Sequence, residues 1–403
     1  MENSKLKSGT LNAIGSFSYS CLSLFFMVVI TRINGLEQAG VFSLLYALVN
    51  LVYNIGVYSG RTYHVSDHSK GITDKDYLYQ RILTTALMAI VGLAVCIVNE
   101  KYRMDMMMAL LLITIRCLDS ISEVFYGMMQ KHYHLDQVGI SMTMKTAGVV
   151  LAFTVADFIT RNVYVSFAGA LAVIVLEMVV YEYKNISCYL RTDAKVENVI
   201  RIFKSGIYAC LLAVFVNYLT SAPKYALAEY VSSEKQAVFN IIFMPATVIV
   251  LCAYFIVQPF IVDMSKHYQE QDMKSFSKCL NLCLLACFGI GCISIVGGYF
   301  FGVPFLNALY GADVTDYKLD FLIVLFGAIL LGMFQIMSAA FTIMNRTKML
   351  MIVTGITSAI TWIASKVLTK IFGFRGGSLS FVVTNFVVFF ICLFVYYRNQ
   401  NSY

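Results

Sequence analysis

The sequence predicts an all-α integral membrane protein of about twelve transmembrane helices arranged as two six-helix lobes. Three observations predict it. The 403 residues are 59% hydrophobic and 13% charged, with a mean hydropathy of +0.74, whereas an ordinary soluble domain carries about 25% charged residues. Apolar runs of about 20 residues, each able to cross roughly 30 Å of hydrocarbon, recur along the whole chain. A short stretch of the first half also returns in the second half at an offset of 197 residues.

Taken in order, the runs place spans at 9–31, 39–59, 82–98, 106–127, 138–157, 163–183, 200–220, 237–262, 280–302, 321–344, 349–369 and 377–397. The first, within "MENSKLKSGTLNAIGSFSYSCLSLFFMVVI", outlasts the apolar core of a signal peptide. It reaches Arg32 without a convincing small-residue cleavage site, which predicts an uncleaved first span. Connections are short, the longest being "RTYHVSDHSKGITDKDYLYQ". The five histidines, His64, His68, His132, His134 and His267, all fall between spans and are expected to be solvated loop residues. Eleven cysteines are present; Cys279, Cys283 and Cys287 recur every four residues on one helix face. Apolar surroundings without accompanying ligands assign them to helix packing rather than to a metal.

Lys and Arg at the span ends set the orientation. With the N-terminus inside, the inner segments hold 18 of the 30 basic residues and the outer segments ten. Both termini are therefore expected to be cytoplasmic. The most basic loop, 184–204, joins the sixth and seventh spans, so the lobes are expected to be 1–195 and 196–403. "LEQAGVFS" at 36–43 and "SEKQAVFN" at 233–240 each open the second helix of their half, and a Ser-Lys pair follows in each inner loop, at Ser69-Lys70 and Ser265-Lys266. Six helices per half make this a parallel repeat, related by an axis along the membrane normal. All four prolines lie in the second half. Pro223 and Pro245 interrupt helix hydrogen bonding, and they serve either as hinges or as static kinks.

"TIRCLDSISEVF", 114–125, sets Arg116, Asp119 and Glu123 inside an apolar run. A charge at the bilayer centre costs about 2.5–3.5 kcal/mol on insertion scales. Positions 116, 119, 120 and 123 share one helix face. Two readings stand: a stripe lining a hydrated cavity, or a self-satisfied cluster in which Arg116 bridges Asp119 or Ser120. Lys145, Glu177, Asn217, Thr220 and Ser221 also lie at membrane depth, while Arg32, Arg61 and Lys224 sit at span ends, where snorkelling places cations. The cationic excess suits an anionic cargo such as a phosphate or pyrophosphate, which guanidinium groups bind bidentately. Arg116, Arg61, Lys145, Arg32 and Lys224 are the candidate substrate contacts. Asp119, Glu123 and Glu177 are candidate coupling-ion sites or structural partners.

The first hairpin, "ITRINGLEQAGVFSLLYALVNLVYNIGVYSGRTY", with "GMMQKHYHLDQVGIS" and "APKYALAEY...QAVFNIIFMPATVIVLCAYFIVQPFIVDMSK", resembles the Wzx-type oligosaccharide flippases of the multidrug/oligosaccharidyl-lipid/polysaccharide (MOP) flippase superfamily. The resemblance covers the whole chain. Two positions depart from the pattern: no proline precedes Arg32, and His134 stands where relatives commonly have arginine. The resemblance implies a MATE-like fold in the bacterial plasma membrane. It also implies transport of an undecaprenyl-pyrophosphate-linked oligosaccharide (an O-antigen of lipopolysaccharide, a capsule or another surface repeat unit) from the inner to the outer leaflet by alternating access. The partners it implies are membrane lipids, a polysaccharide polymerase and glycosyltransferases. No cofactor is implied, and coupling to a proton or a sodium gradient is left open.

Three rivals fit less well. A multidrug antiporter for organic cations favours carboxylates and aromatics over a basic excess. A lipid II flippase of the same superfamily ordinarily has fourteen spans. A polytopic polysaccharide polymerase usually carries a substantial outer loop, and the longest here, "VPFLNALYGADVTDYKLD", offers only Asp313, Asp316 and Asp320. No membrane-depth histidine or Gly-rich phosphate loop is present. Neither an enzyme nor a nucleic-acid-binding protein is expected.

Overall fold

The computed structural model describes residues 2–58, 60–67, 71–103, 105–190 and 193–400, and helix is the only regular secondary structure among them. His68 and the Ser69-Lys70 pair lie outside the described residues. Twelve long helices follow in order: α1 Ser8–Ile33, α2 Leu36–Val57, α3 Asp74–Val98, α4 Met106–Lys131, α5 Leu135–Thr160, α6 Val163–Leu190, α7 Val196–Tyr230, α8 Ser233–Gln269, α9 Met273–Tyr310, α10 Thr315–Ile343, α11 Thr347–Phe372 and α12 Phe374–Arg398. Eleven are long and apolar enough to cross a membrane. The other, α4, matches them in length at 26 residues but carries Arg116, Asp119, Glu123 and Lys131.

Local chemistry marks the helix starts. Asp105, Asn162, Ser232 and Asp272 cap α4, α6, α8 and α9 by accepting from backbone N–H groups of the first turn. At α3 a capping box forms: the Thr73 hydroxyl accepts from the Asp76 amide, and the Asp76 carboxylate accepts from the Thr73 amide at 2.7 Å. This box starts α3 eight residues before the expected span and turns Arg81, counted in the sequence as an inner-loop cation, into a buried residue 2% exposed. Asp76 also accepts from the Lys195 amide at 2.7 Å and from Asn198 Nδ2 at 2.8 Å, fastening the segment after α6 to the start of α3. Between α1 and α2, Gly35 adopts φ +90°, a conformation that favours glycine.

The chain forms two compact units, Met1–Cys210 and Leu211–Tyr403. Within the first, α2 packs on α4, α3 on α4, α4 on α6 and α5 on α6. Within the second, the equivalent pairs six helices later, α8 on α10, α9 on α10, α10 on α12 and α11 on α12, are also packed. The sixfold register of the sequence repeat is thus present in the helix pairing of each unit. Side chains such as Ile90, Leu151, Phe158, Ile293 and Phe301 project outward, as lipid-facing groups do.

In the first unit Phe26, Phe42, Phe153 and Phe167, from α1, α2, α5 and α6, pack together, with contacting ring centroids 4.7–6.2 Å apart. Beside them α1 and α5 approach backbone to backbone. A Cβ on Gly139 would lie 2.4 Å from the Leu11 carbonyl carbon, and one on Gly15 would lie 2.6 Å from the Gly139 oxygen. Backbone has no rotamer with which to yield, so Gly139→Ala is expected to cost about 1–3 kcal/mol. A lowered melting temperature of the detergent-purified variant checks this, with Gly9→Ala, whose Cβ meets nothing within 4 Å, as the control.

The connection from α2 to α3 differs from the expected solvated loop. A short helix, Gly60–Ser66, occupies it and carries His64 inward to 1% exposure. His64 Nε2 lies 3.0 Å from Asp74 Oδ1, its ring stacks on Tyr77, and α4 presents Gly127, where a Cβ would come 2.4 Å from His64 Nδ1. His132 Nε2 and Lys131 Nζ, at the end of α4, reach the same Asp74 carboxylate at 2.8 and 3.5 Å. Burial lowers the His64 pKa from its ordinary value despite the pull of Asp74 and with a smaller push from Lys131 and Arg81. The unfolded chain therefore takes up the proton first, and stability falls as pH drops below about 6.5 and through the folded value. His64→Gln is expected to flatten that acid limb in a series of melts against pH.

Candidate functional site

Helix α4 turns Arg116, Asp119, Ser120 and Glu123 to one side, and four helices of the first unit converge on them. Arg116 Nη1 lies 3.0 Å from Asp119 Oδ2 and 3.4 Å from the Tyr19 hydroxyl; Nη2 donates to Asn50 Oδ1 at 2.7 Å and to the Tyr46 hydroxyl. The guanidinium carbon stands 5.0 Å from the Tyr46 ring and 5.1 Å from that of Tyr53. Arg116 pairs with Asp119, and both line a cavity of about 330 Å³. Tyr19, Tyr46, Asn50 and Lys145 share its wall. Tyr46, Asn50 and Tyr53 recur at spacings of four and three in α2, a polar helical stripe that sequence reading passed over although its period was visible.

Lys145 is 1% exposed and bound on every side. Its ammonium donates to Glu182 Oε1 and Ser122 Oγ, both at 2.7 Å, and lies 3.5 Å from Glu177 Oε2. Ser141 Oγ donates to Glu177 at 2.6 Å and lies 3.0 Å from Glu182, while Ser122 Oγ also contacts Glu182 at 2.7 Å. Glu182 is the partner that sequence reading missed. In an α-helix each residue turns about 100°, so a residue five positions on stands about 140° away. A single π-helical turn, Met178–Glu182, closed by the Tyr183 amide on the Met178 carbonyl, winds wider and brings Glu177 and Glu182 to the same lysine.

The remaining candidates are dispersed. Glu123 is half-buried and acts electrostatically on Tyr53 and Arg81. Arg81 Nη1 and Thr84 Oγ1 both donate to the Gly56 carbonyl, tying α3 to α2. Arg61, on the short helix, has a buried Nη1 without a hydrogen-bond partner among the described residues, and Arg32 is exposed in the last turn of α1. Neither lines the cavity. In the second unit α7 and α8 run on through Pro223 and Pro245. Lys224 is thereby inside a helix rather than at a span end, its ammonium 2.7 Å from Asn240 Oδ1 and 4.5 Å from the Phe243 ring centre.

No family model matches the chain. Among solved structures, an outward-facing multidrug resistance MATE family transporter of the MOP superfamily superposes with a TM-score of 0.65 at 13% identity, covering 98% of this chain and 95% of that one. The lipid II flippase MurJ, in an inward closed conformation, superposes with a TM-score of 0.72 at 16% identity, over 96% of this chain and 87% of that one. The fold is that of the MOP-superfamily transporters. A MOP superfamily transporter from Pyrococcus furiosus, described as having a binding pocket of reverse polarity, gives 0.63 at 13% identity over 98% and 95% of the two chains. By sequence, the capsular polysaccharide biosynthesis protein CapF of Staphylococcus aureus is 23% identical over 236 residues, 57% of this chain. The chain spans about three fifths of that relative's length, 60%.

Proposed function

We propose that this protein is a Wzx-type flippase that moves an undecaprenyl-pyrophosphate-linked oligosaccharide from the inner to the outer leaflet of a bacterial plasma membrane by alternating access, with both termini in the cytoplasm. The observation that carries the reading is Arg116: a guanidinium held by three neutral oxygens and one carboxylate, on the wall of a cavity that Lys145 also lines. A phosphate oxygen pair takes the Arg116 fork by displacing neutral partners such as Tyr46 and Tyr19, and the guanidinium keeps its charge at depth. A cation at this point disfavours organic cations as cargo, which separates the proposal from multidrug transport on the same fold. The likeness to a capsule biosynthesis protein supports a surface polysaccharide as the attached sugar. In this proposal Arg116 contacts the pyrophosphate, and Arg61, Arg32 and Lys224 assist its passage. Lys145 acts through its two carboxylates, Pro223 and Pro245 serve as hinges, and a polymerase and glycosyltransferases act on the same lipid-linked substrate.

The test is deletion of the gene with labelled lipid-linked oligosaccharide followed in each leaflet. Accumulation in the inner leaflet, corrected by the wild-type gene and not by an equally expressed Arg116→Ala variant, is the expected result. Normal arrival of single units at the outer leaflet in the deletion strain would overturn it.

A further inference from the structure

We propose that Glu177 and Glu182 hold one proton between them, forming a proton-binding site linked to anion binding at Arg116; the identity of that anion rests on the function proposed above. The argument begins with charge. Lys145, Glu177 and Glu182 are 1%, 8% and 0% exposed, so one ammonium faces two carboxyl groups away from water. Fully ionised, the trio would leave a buried negative charge with no counter-ion, an arrangement as unfavourable as a buried ion pair that has lost one partner. Like charges brought together in this way are relieved when one carboxyl takes up a proton.

The donors show where it resides. Glu182 receives Lys145 and Ser122, both at 2.7 Å, with Ser141 Oγ a further 3.0 Å neighbour, enough to satisfy a carboxylate. Glu177 receives Ser141 alone, and its buried Oε2 has no hydrogen-bond partner. Both carboxyl groups converge on the one Ser141 hydroxyl, at 2.6 and 3.0 Å, and on the one Lys145 ammonium, at 3.5 and 2.7 Å, so two acceptor groups share too few protons unless one of them brings its own. The proton thus resides on Glu177 and is shared toward Glu182, and the π-turn is the device that brings the pair together. Around it stand Asp119, Ser122 and Tyr126 from α4, and Ser141 and Lys145 from α5.

The link to the cavity runs through Lys145, which feels the field of Asp119 while Asp119 is paired to Arg116. An anion bound at Arg116 adds negative charge on this side and favours the protonated pair. By reciprocity the protonated pair favours the anion by the same factor, on the order of tenfold. On release the proton passes from the Glu177 carboxyl to water, leaving a second carboxylate on Lys145.

Infrared spectra of the purified full-length protein in detergent test the proton, and binding of undecaprenyl pyrophosphate tests the link. At neutral pH a carbonyl band of a protonated carboxyl, shifting in heavy water, is expected. It should be lost in Glu177→Gln and also in Glu182→Gln, since either leaves one carboxylate for one lysine, and kept in Glu123→Gln. Wild-type affinity for undecaprenyl pyrophosphate should weaken about tenfold as alkaline pH removes the band, beyond the change seen in Glu177→Gln. Absence of the band, its survival in both glutamate-pair variants, or an unchanged pH dependence in Glu177→Gln would overturn the proposal. A wild type that shows the band and its loss but binds no undecaprenyl pyrophosphate would overturn the lipid-pyrophosphate reading and the link, and leave the shared proton standing.

Discussion

Lys145→Met is expected to lower the stability of the first unit by about 3–5 kcal/mol, the range for removing one partner of a buried ion pair. The side chain that remains fills the volume, so the loss is electrostatic: Glu182, 0% exposed, keeps only its hydroxyl donors and faces Glu177 with no cation between them. The double variant Lys145→Met/Glu182→Gln restores neutrality, because Glu177 is then free to remain protonated, and should recover most of the stability. Fluorescence-detected gel filtration after graded heating reads both. A single variant as stable as wild type, or a double variant no better than the single, would show that the charges of α5 and α6 are independent of each other.

Arg116→Lys is expected to reduce transport by about ten- to a hundredfold while leaving the amount of folded protein near wild type. The positive charge beside Asp119 is kept, so no carboxylate is stranded. What goes is the fork, which donates through Nη1 to Asp119 and Tyr19 and through Nη2 to Asn50 and Tyr46. An ammonium meets a phosphate at a single point and carries no plane to stack near Tyr46 and Tyr53. One charge-assisted hydrogen bond lost is about 1.5–3 kcal/mol, and each 1.4 kcal/mol is about a factor of ten. The ratio of inner- to outer-leaflet lipid-linked oligosaccharide, normalised to protein level, measures it. Wild-type transport by the lysine variant would reduce the role of Arg116 to holding Asp119.

The spans were legible because hydrophobic runs of membrane length need no long-range information, and Arg116, Lys145 and Glu177 because a charge in such a run is costly wherever it sits. Their partners were less so. Tyr46 and Asn50 were within reach of a periodicity argument applied to α2. Glu182 was not, because its place on the Lys145 side depends on a π-turn, and helical periodicity assigns position 182 to the opposite side from 177. Arg81 and His64 both fall between the apolar runs 39–59 and 82–98. The Thr73–Asp76 capping box, with aspartate in place of the usual glutamate, lengthens α3 to enclose Arg81. His64 is buried by Gly127 of α4, which leaves room for its ring, and no local pattern announces that contact.

The fastening of Asp76 to Lys195 and Asn198 has a consequence for how the protein is made. A ribosome delivers residue 76 more than a hundred residues before its partners, so the Asp76 carboxylate holds only its local Thr73 donors through the synthesis of three further helices. The tie closes only when the start of α7 emerges. Nascent chains arrested before Lys195 lack it, and those arrested after Cys210 carry every group it needs. This tie within the first unit is thus timed to the middle of translation, ahead of the helices that build the second.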